Sequence, residues 1–91
     1  MTGKISAELK IQNQKGLHAR AAAAFVRTVE NFDVDVNVSR AGQTVGGSSI
    51  MGLMILSASK GTKILIEAVG PQAEEFIKAI KALINGKFGE D

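Results

Sequence analysis

The chain has 91 residues, 45% hydrophobic and 22% charged, with a net charge of +2 at pH 7, no cysteine and one histidine. That composition suits one small globular domain and excludes disulfides, thiolate metal sites, a cysteine nucleophile and a multi-histidine metal centre built by a single chain. Scaling of surface with mass puts roughly 63% of the unfolded chain's surface out of water on folding, enough for one modest core.

Ile5-Ser6-Ala7-Glu8-Leu9-Lys10-Ile11 alternates apolar and polar residues strictly and predicts a half-buried strand. Gln12 to Gly16 is a polar loop. From Ala19 the period changes: Ala22, Val26 and Val29, with Phe25 and Phe32 beside them, recur at helical spacing. Alanine is the strongest helix former, so the alanine run supports a helix over about 19–31. His18 then falls at its N-terminal boundary. Val34, Val36 and Val38 alternate with Asp33, Asp35 and Asn37 and predict a second strand. Ala41-Gly42-Gln43 is a turn, and Thr44-Val45 opens a short third strand that Gly46-Gly47 breaks.

Ser48-Ser49 offers an N-cap before Ile50-Met51-Gly52-Leu53-Met54-Ile55-Leu56, which is apolar nearly all round. The expectation is a short helix despite Gly52, with a strand as the alternative. Ser57 to Gly61 is a loop, and Lys63 to Val69 is a fourth strand, apolar enough to be central. Gly70-Pro71 begins a last helix with Glu74 and Glu75 in its first turn. Phe76, Ile77, Ile80, Leu83 and Ile84 form its apolar stripe, and Asn85-Gly86 is its stop. The tail from Lys87 is expected to fray. The order β-α-β-β-α-β-α predicts an α+β, two-layer sandwich, one sheet with helices on one face. No apolar run approaches the ~20 residues of a membrane span. Met1-Thr2-Gly3-Lys4 lacks a signal-peptide core, so a cytoplasmic protein with no membrane insertion is expected.

Three features carry chemistry. His18, in Gly16-Leu17-His18-Ala19-Arg20, stands at a helix start, where free backbone N–H groups and the positive end of the dipole receive anions. A histidine can sit there merely as a cap. The N–H groups of Ala19 and Arg20 can equally receive an anion such as a phosphoryl group, and the Arg20 guanidinium can pair with its oxygens. Gly16 lets the backbone turn sharply. Ser49 is the second feature, an N-cap for the short helix that follows it. The third is the run Ile50, Met51, Leu53 and Met54, too apolar for all of it to be buried in a small domain. Part of it is expected in an exposed patch of the kind that binds a partner. Ala23, Ala24 and Arg27 lie one and two turns beyond His18 and are expected to extend that face.

The distribution of charge says more than its sum. Residues 1–27 carry five Lys/Arg against Glu8 alone, and the chain has no Trp or Tyr. A basic rim of that kind, without stacking aromatics, suits an anionic ligand or an acidic protein better than nucleic acid.

Gly16-Leu17-His18-Ala19-Arg20-Ala21-Ala22 resembles the active-site motif of the histidine-containing phosphocarrier (HPr) family of the bacterial phosphoenolpyruvate-dependent sugar phosphotransferase system. Ser49-Ile50-Met51-Gly52-Leu53-Met54 resembles that family's regulatory-serine motif. Their separation, the Lys60-Gly61 turn and the length agree, so the resemblance spans essentially the whole chain. It implies an open-faced β-sandwich, a four-stranded antiparallel sheet in the order 1-4-2-3 covered on one face by three helices. It implies that Enzyme I, phosphorylated by phosphoenolpyruvate, passes a phosphoryl group to Nδ1 of His18, with Arg20 on the phosphate side. A IIA component of a sugar permease, or a regulatory IIA protein, would receive it. The resemblance also points to Ser49 as the target of an HPr kinase/phosphorylase, and to Ile50 and Met51 as docking residues. No cofactor and no metal are implied, and a carrier that exposes one face to several partners is most simply a monomer. Two positions depart from the family pattern: Ala21 stands where many members have proline, and Lys15 where many have a small polar residue. Neither removes a group that performs chemistry. A relay in a nitrogen-related branch and a non-catalytic docking module stay open as alternatives.

Overall fold

Alternating strands make a sheet with one wet and one dry face, and amphipathic helices cover the dry one. The computed structural model describes residues 3–90. Its elements run β1 (Lys4–Lys10), α1 (Ala19–Glu30), β2 (Asp35–Arg40), β3 (Gln43–Gly46), α2 (Ile50–Ile55), β4 (Lys63–Val69) and α3 (Ala73–Asn85), followed by a 3-10 turn at Lys87–Gly89. The sheet is antiparallel in the order β1-β4-β2-β3. β4 is therefore internal, as its apolar composition requires. Ile66 is the partner of Ala7 on one side and of Val38 on the other.

The inward residues Ile64, Ile66 and Ala68 of β4 and Val36 and Val38 of β2 are buried. Above them lie Ala21, Ala22, Phe25, Val26 and Val29 of α1 and Phe76, Ile77, Ile80 and Ile84 of α3. The rings of Phe25 and Phe76 meet edge to face at 6.3 Å and 72°, and Phe32 meets Phe76 at 6.1 Å and 71°. Such pairs add roughly 0.5–1.5 kcal/mol beyond their burial. No helix among the described residues is long and apolar enough to cross a membrane.

Three sequence expectations need adjustment. The segment after Ser49 is a helix, as expected, but Gly52 is not merely tolerated there. A Cβ on it would lie 3.1 Å from the Val45 side chain, so glycine lets α2 close on β3. The last helix starts at Ala73, not at Gly70-Pro71, which form the turn before it. Gly70 has φ +144°, and a Cβ there would meet the Asp33 carbonyl oxygen at 2.8 Å. Finally, the tail does not fray. Phe88 is 8% exposed and packs into the core, with Gly89 and Glu90 following in an ordered turn. Burial of the Phe88 ring and the bonds of the Glu90 carboxylate to Asn13 and His18 together offset the chain entropy lost in ordering this segment.

Phe88→Ala should therefore destabilise the fold by about 3 kcal/mol, the low end for a buried phenylalanine. Urea unfolding measures this, and an unchanged midpoint would show that the tail is not docked.

Candidate functional site

The loop between β1 and α1 delivers His18. Asn13 is fully buried, and its Nδ2 donates to the Gly16 carbonyl oxygen at 2.9 Å. Gly16 has φ +66°, and a Cβ there would overlap the Ala58 carbonyl oxygen, so only glycine makes this turn. The next residue, Leu17, is buried, and its N–H donates to Ala58 O at 2.8 Å. The chain is thus pinned on both sides before α1 starts.

His18 is the N-cap of α1, with φ −85° and ψ −176°. Its carbonyl oxygen accepts from the Ala22 N–H at 2.8 Å, the first helical bond. Its ring Nδ1 accepts from the Arg20 N–H at 3.3 Å. The ring Nε2 lies 2.6 Å from Oε2 of Glu90, which comes from the segment after α3. The tautomer follows from these partners. An N–H can only donate, so Nδ1 holds a lone pair. An ionised carboxylate can only accept, so Nε2 holds the proton. The side chains of His18 and Glu90 are 28% and 13% exposed, so the pair lies close to the surface without being fully solvated.

Oε1 of Glu90 accepts from Nδ2 of Asn13 at 2.9 Å. This hydrogen bond, and after it the one from His18 and the positive charge of Lys15, hold the Glu90 carboxyl below its usual range, against an opposing desolvation. Asn13 Oδ1 is buried without a hydrogen-bond partner among the described residues. Such a group costs roughly 1–3 kcal/mol, which the two bonds made by Nδ2 offset. Gln14, Lys15, Arg20, Gly89 and Glu90 line a shallow depression of about 450 Å³. The side chains of Lys15 and Arg20 share it with the Glu90 carboxylate.

Ser49 is exposed and caps α2, its Oγ accepting from the Gly52 N–H at 2.9 Å. The expected partner face is sorted by helical angle. Met51 is 73% exposed, and Ile50, Met54 and Ile55 are exposed with it. Leu53, expected in that face, is fully buried and belongs to the core. Residues 50, 51, 54 and 55 share one side of a helix and 53 and 56 the other. Ile55 was not among the residues expected in that face, and the same angular sorting places it on the exposed side of α2. On α1, Ala23 and Ala24 are half-buried and Arg27 is exposed. Ala24 and Arg27 border a depression toward Leu83 of α3. Sequence reasoning also missed Asn13 and Glu90. Asn13 looks like any polar loop residue, and the one hint of Glu90 is the aromatic Phe88 two residues before it.

The sign of the pH dependence at Glu90 is fixed by its lowered carboxyl. A carboxyl titrating lower in the folded than in the unfolded chain contributes stability above its unfolded value, and that contribution is lost as pH falls through the folded one. The Asn13 side-chain amide resonances should therefore still report the Glu90 contact at pH 4.5, the ordinary carboxyl value, and lose it only at lower pH. A transition centred at or above that value would contradict the contact.

Comparisons with known proteins place the chain in a family. A family model described as "PTS HPr component phosphorylation site" matches residues 5–86. The phosphocarrier protein HPr of Neisseria meningitidis serogroup A is 46% identical over 82 residues, covering 90% of this chain and 92% of the relative. That of Pseudomonas aeruginosa is 43% identical over 84 residues, covering 91% and 93%. Among solved structures, an HPr from Thermoanaerobacter tengcongensis superposes with a TM-score of 0.90 at 41% identity, covering 96% of this chain and 98% of that one. HPr from Bacillus anthracis gives 0.85 at 34% identity, covering 90% and 98%. With a family match over most of its length and relatives this similar at both levels, the chain belongs to the HPr family of the phosphotransferase system.

Proposed function

We propose that this chain carries a phosphoryl group on Nδ1 of His18, taking it from phosphorylated Enzyme I and passing it to a IIA component. The observation that carries the reading is the placement of His18 as the cap of α1, with Nδ1 facing the Arg20 N–H and the ring proton held on Nε2. The Nδ1 lone pair forms the N–P bond while the bond from phosphorus to the donor's leaving group breaks, its electron pair going to that group. No proton has to leave His18. The phosphoryl oxygens then meet the N–H groups of Ala19 and Arg20 at the positive end of α1, and the Arg20 guanidinium. Ala21 keeps an N–H in this first turn that the proline of many family members lacks. Onward transfer reverses the same step toward a IIA acceptor.

The exposed side of α2, with Ile50, Met51 and Met54, and the exposed Arg20 and Arg27 of α1 form the docking face of this reading. Apolar anchors give such a face its affinity, and the basic rim speeds encounter with acidic partners. Ser49, at the edge of the α2 face, is the regulatory position. A phosphate added there by an HPr kinase/phosphorylase would repel an acidic Enzyme I. The protein is read as a cytoplasmic monomer.

Incubation with phosphoenolpyruvate and a competent Enzyme I should add one acid-labile phosphoryl mass, absent in His18→Ala. An unmodified wild-type mass would overturn the carrier reading. Met51→Asp should slow transfer about tenfold, the loss of roughly 1.4 kcal/mol at an interface anchor, with the melting temperature unchanged. Unchanged transfer would remove α2 from the docking face.

A further inference from the structure

The ring of His18 is gripped from a part of the chain remote in sequence. Glu90 lies 72 residues away, and its two carboxylate oxygens are divided between two partners. Oε2 meets Nε2 of His18 at 2.6 Å, and Oε1 meets Nδ2 of Asn13 at 2.9 Å. Asn13 is fully buried, and the same Nδ2 bonds the Gly16 carbonyl oxygen in the loop that delivers His18. From the other side Glu90 is held by the turn before it. Its N–H donates to Lys87 O at 2.9 Å, and Phe88 is buried in the core. The carboxylate is therefore fixed in space by groups other than the histidine it touches.

We propose that Glu90 is a positioning residue for His18. Anchored by Asn13, it holds the proton on Nε2 and keeps the lone pair on Nδ1, turned to the start of α1, where the Arg20 N–H passes from Nδ1 to a phosphoryl oxygen as phosphorus bonds. This deepens the phosphocarrier reading and rests on it. A carboxylate that accepts from the second nitrogen of an imidazole fixes both its tautomer and its rotation. When Nδ1 bonds phosphorus, Nε2 keeps its proton and the ring becomes a cation. Glu90 then faces that charge through a charge-assisted hydrogen bond. Its own charge lies on the Nε2 side of the ring. Lys15 and Arg20, the cations that line the same depression, offset its repulsion of the phosphoryl oxygens. Without Glu90 only the 3.3 Å bond from the Arg20 N–H holds the ring, which is then freer to rotate and to exchange its proton between the nitrogens, and fewer encounters meet an unprotonated Nδ1.

The test compares wild type, Glu90→Ala and Glu90→Gln. It reads phosphoryl uptake from phosphorylated Enzyme I, the ring ¹⁵N spectrum of His18 before phosphorylation, and the melting temperature as a check on folding. Glu90→Ala should lower the rate at saturating donor about tenfold, as loss of such outer partners does, with the KM for the donor unchanged. Its spectrum should move from a distinct Nε2–H and bare Nδ1 toward averaged values. Glu90→Gln still offers an oxygen to Nε2–H. It should keep the wild-type spectrum and recover part of the rate. A Glu90→Ala protein with wild-type rate and ring spectrum overturns the inference, as does one slowed only through KM with the spectrum unchanged. If wild type takes up no phosphoryl group from a competent donor, the carrier reading falls. The ring spectrum then still shows whether Glu90 sets the tautomer.

Discussion

The imidazole of His18 has a different partner on each nitrogen, and the rest of the site is arranged around that fact. A backbone N–H on Nδ1 and a carboxylate on Nε2 leave one tautomer and one orientation. The first partner requires α1 to begin exactly one residue after the histidine. Gly16 makes that possible by turning where no side chain fits, and Leu17 by anchoring in the core beside Ala58. The second partner requires the chain end to return across the molecule, and the burial of Phe88 supplies the driving force. A few well-buried groups therefore set the geometry of one partly exposed ring.

Much of the fold is legible in the sequence because burial acts on it locally. The alternation over 5–11 and 34–38, and the stripe from Phe76 to Ile84, each have one way to hide their apolar atoms. Ser49 is legible as a cap for the same local reason, a side-chain oxygen within reach of an N–H three residues on. Strand order is different. Element order alone does not say that β4 inserts between β1 and β2, and here the expectation came from the resemblance between motifs.

The parts of the site that could not be read are those made by distant partners. Nothing near His18 in sequence announces Glu90. Asn13 becomes a core residue only because its amide finds acceptors on two segments. The reading of α2 failed for another reason. Counting apolar residues placed Leu53 among the exposed ones, whereas their angles around the helix put it inside and Ile55 outside. The outcome is a short helix with a dry side against the core and an apolar side left in solvent. A helix that served the core alone would carry polar residues there. That is the physical ground for reading this side of α2 as a place where another protein binds.

The central claim is that the protein's own hydrogen bonds reserve Nδ1 of His18 for phosphorus by occupying Nε2. The most direct measurement is the one-bond coupling between ³¹P and ¹⁵N in ¹⁵N-labelled, phosphorylated protein. Coupling to Nδ1, with Nε2 still protonated, is the expected result. Coupling to Nε2 would contradict the account, because the carboxylate of Glu90 would then have to give up the position that the structure assigns to it.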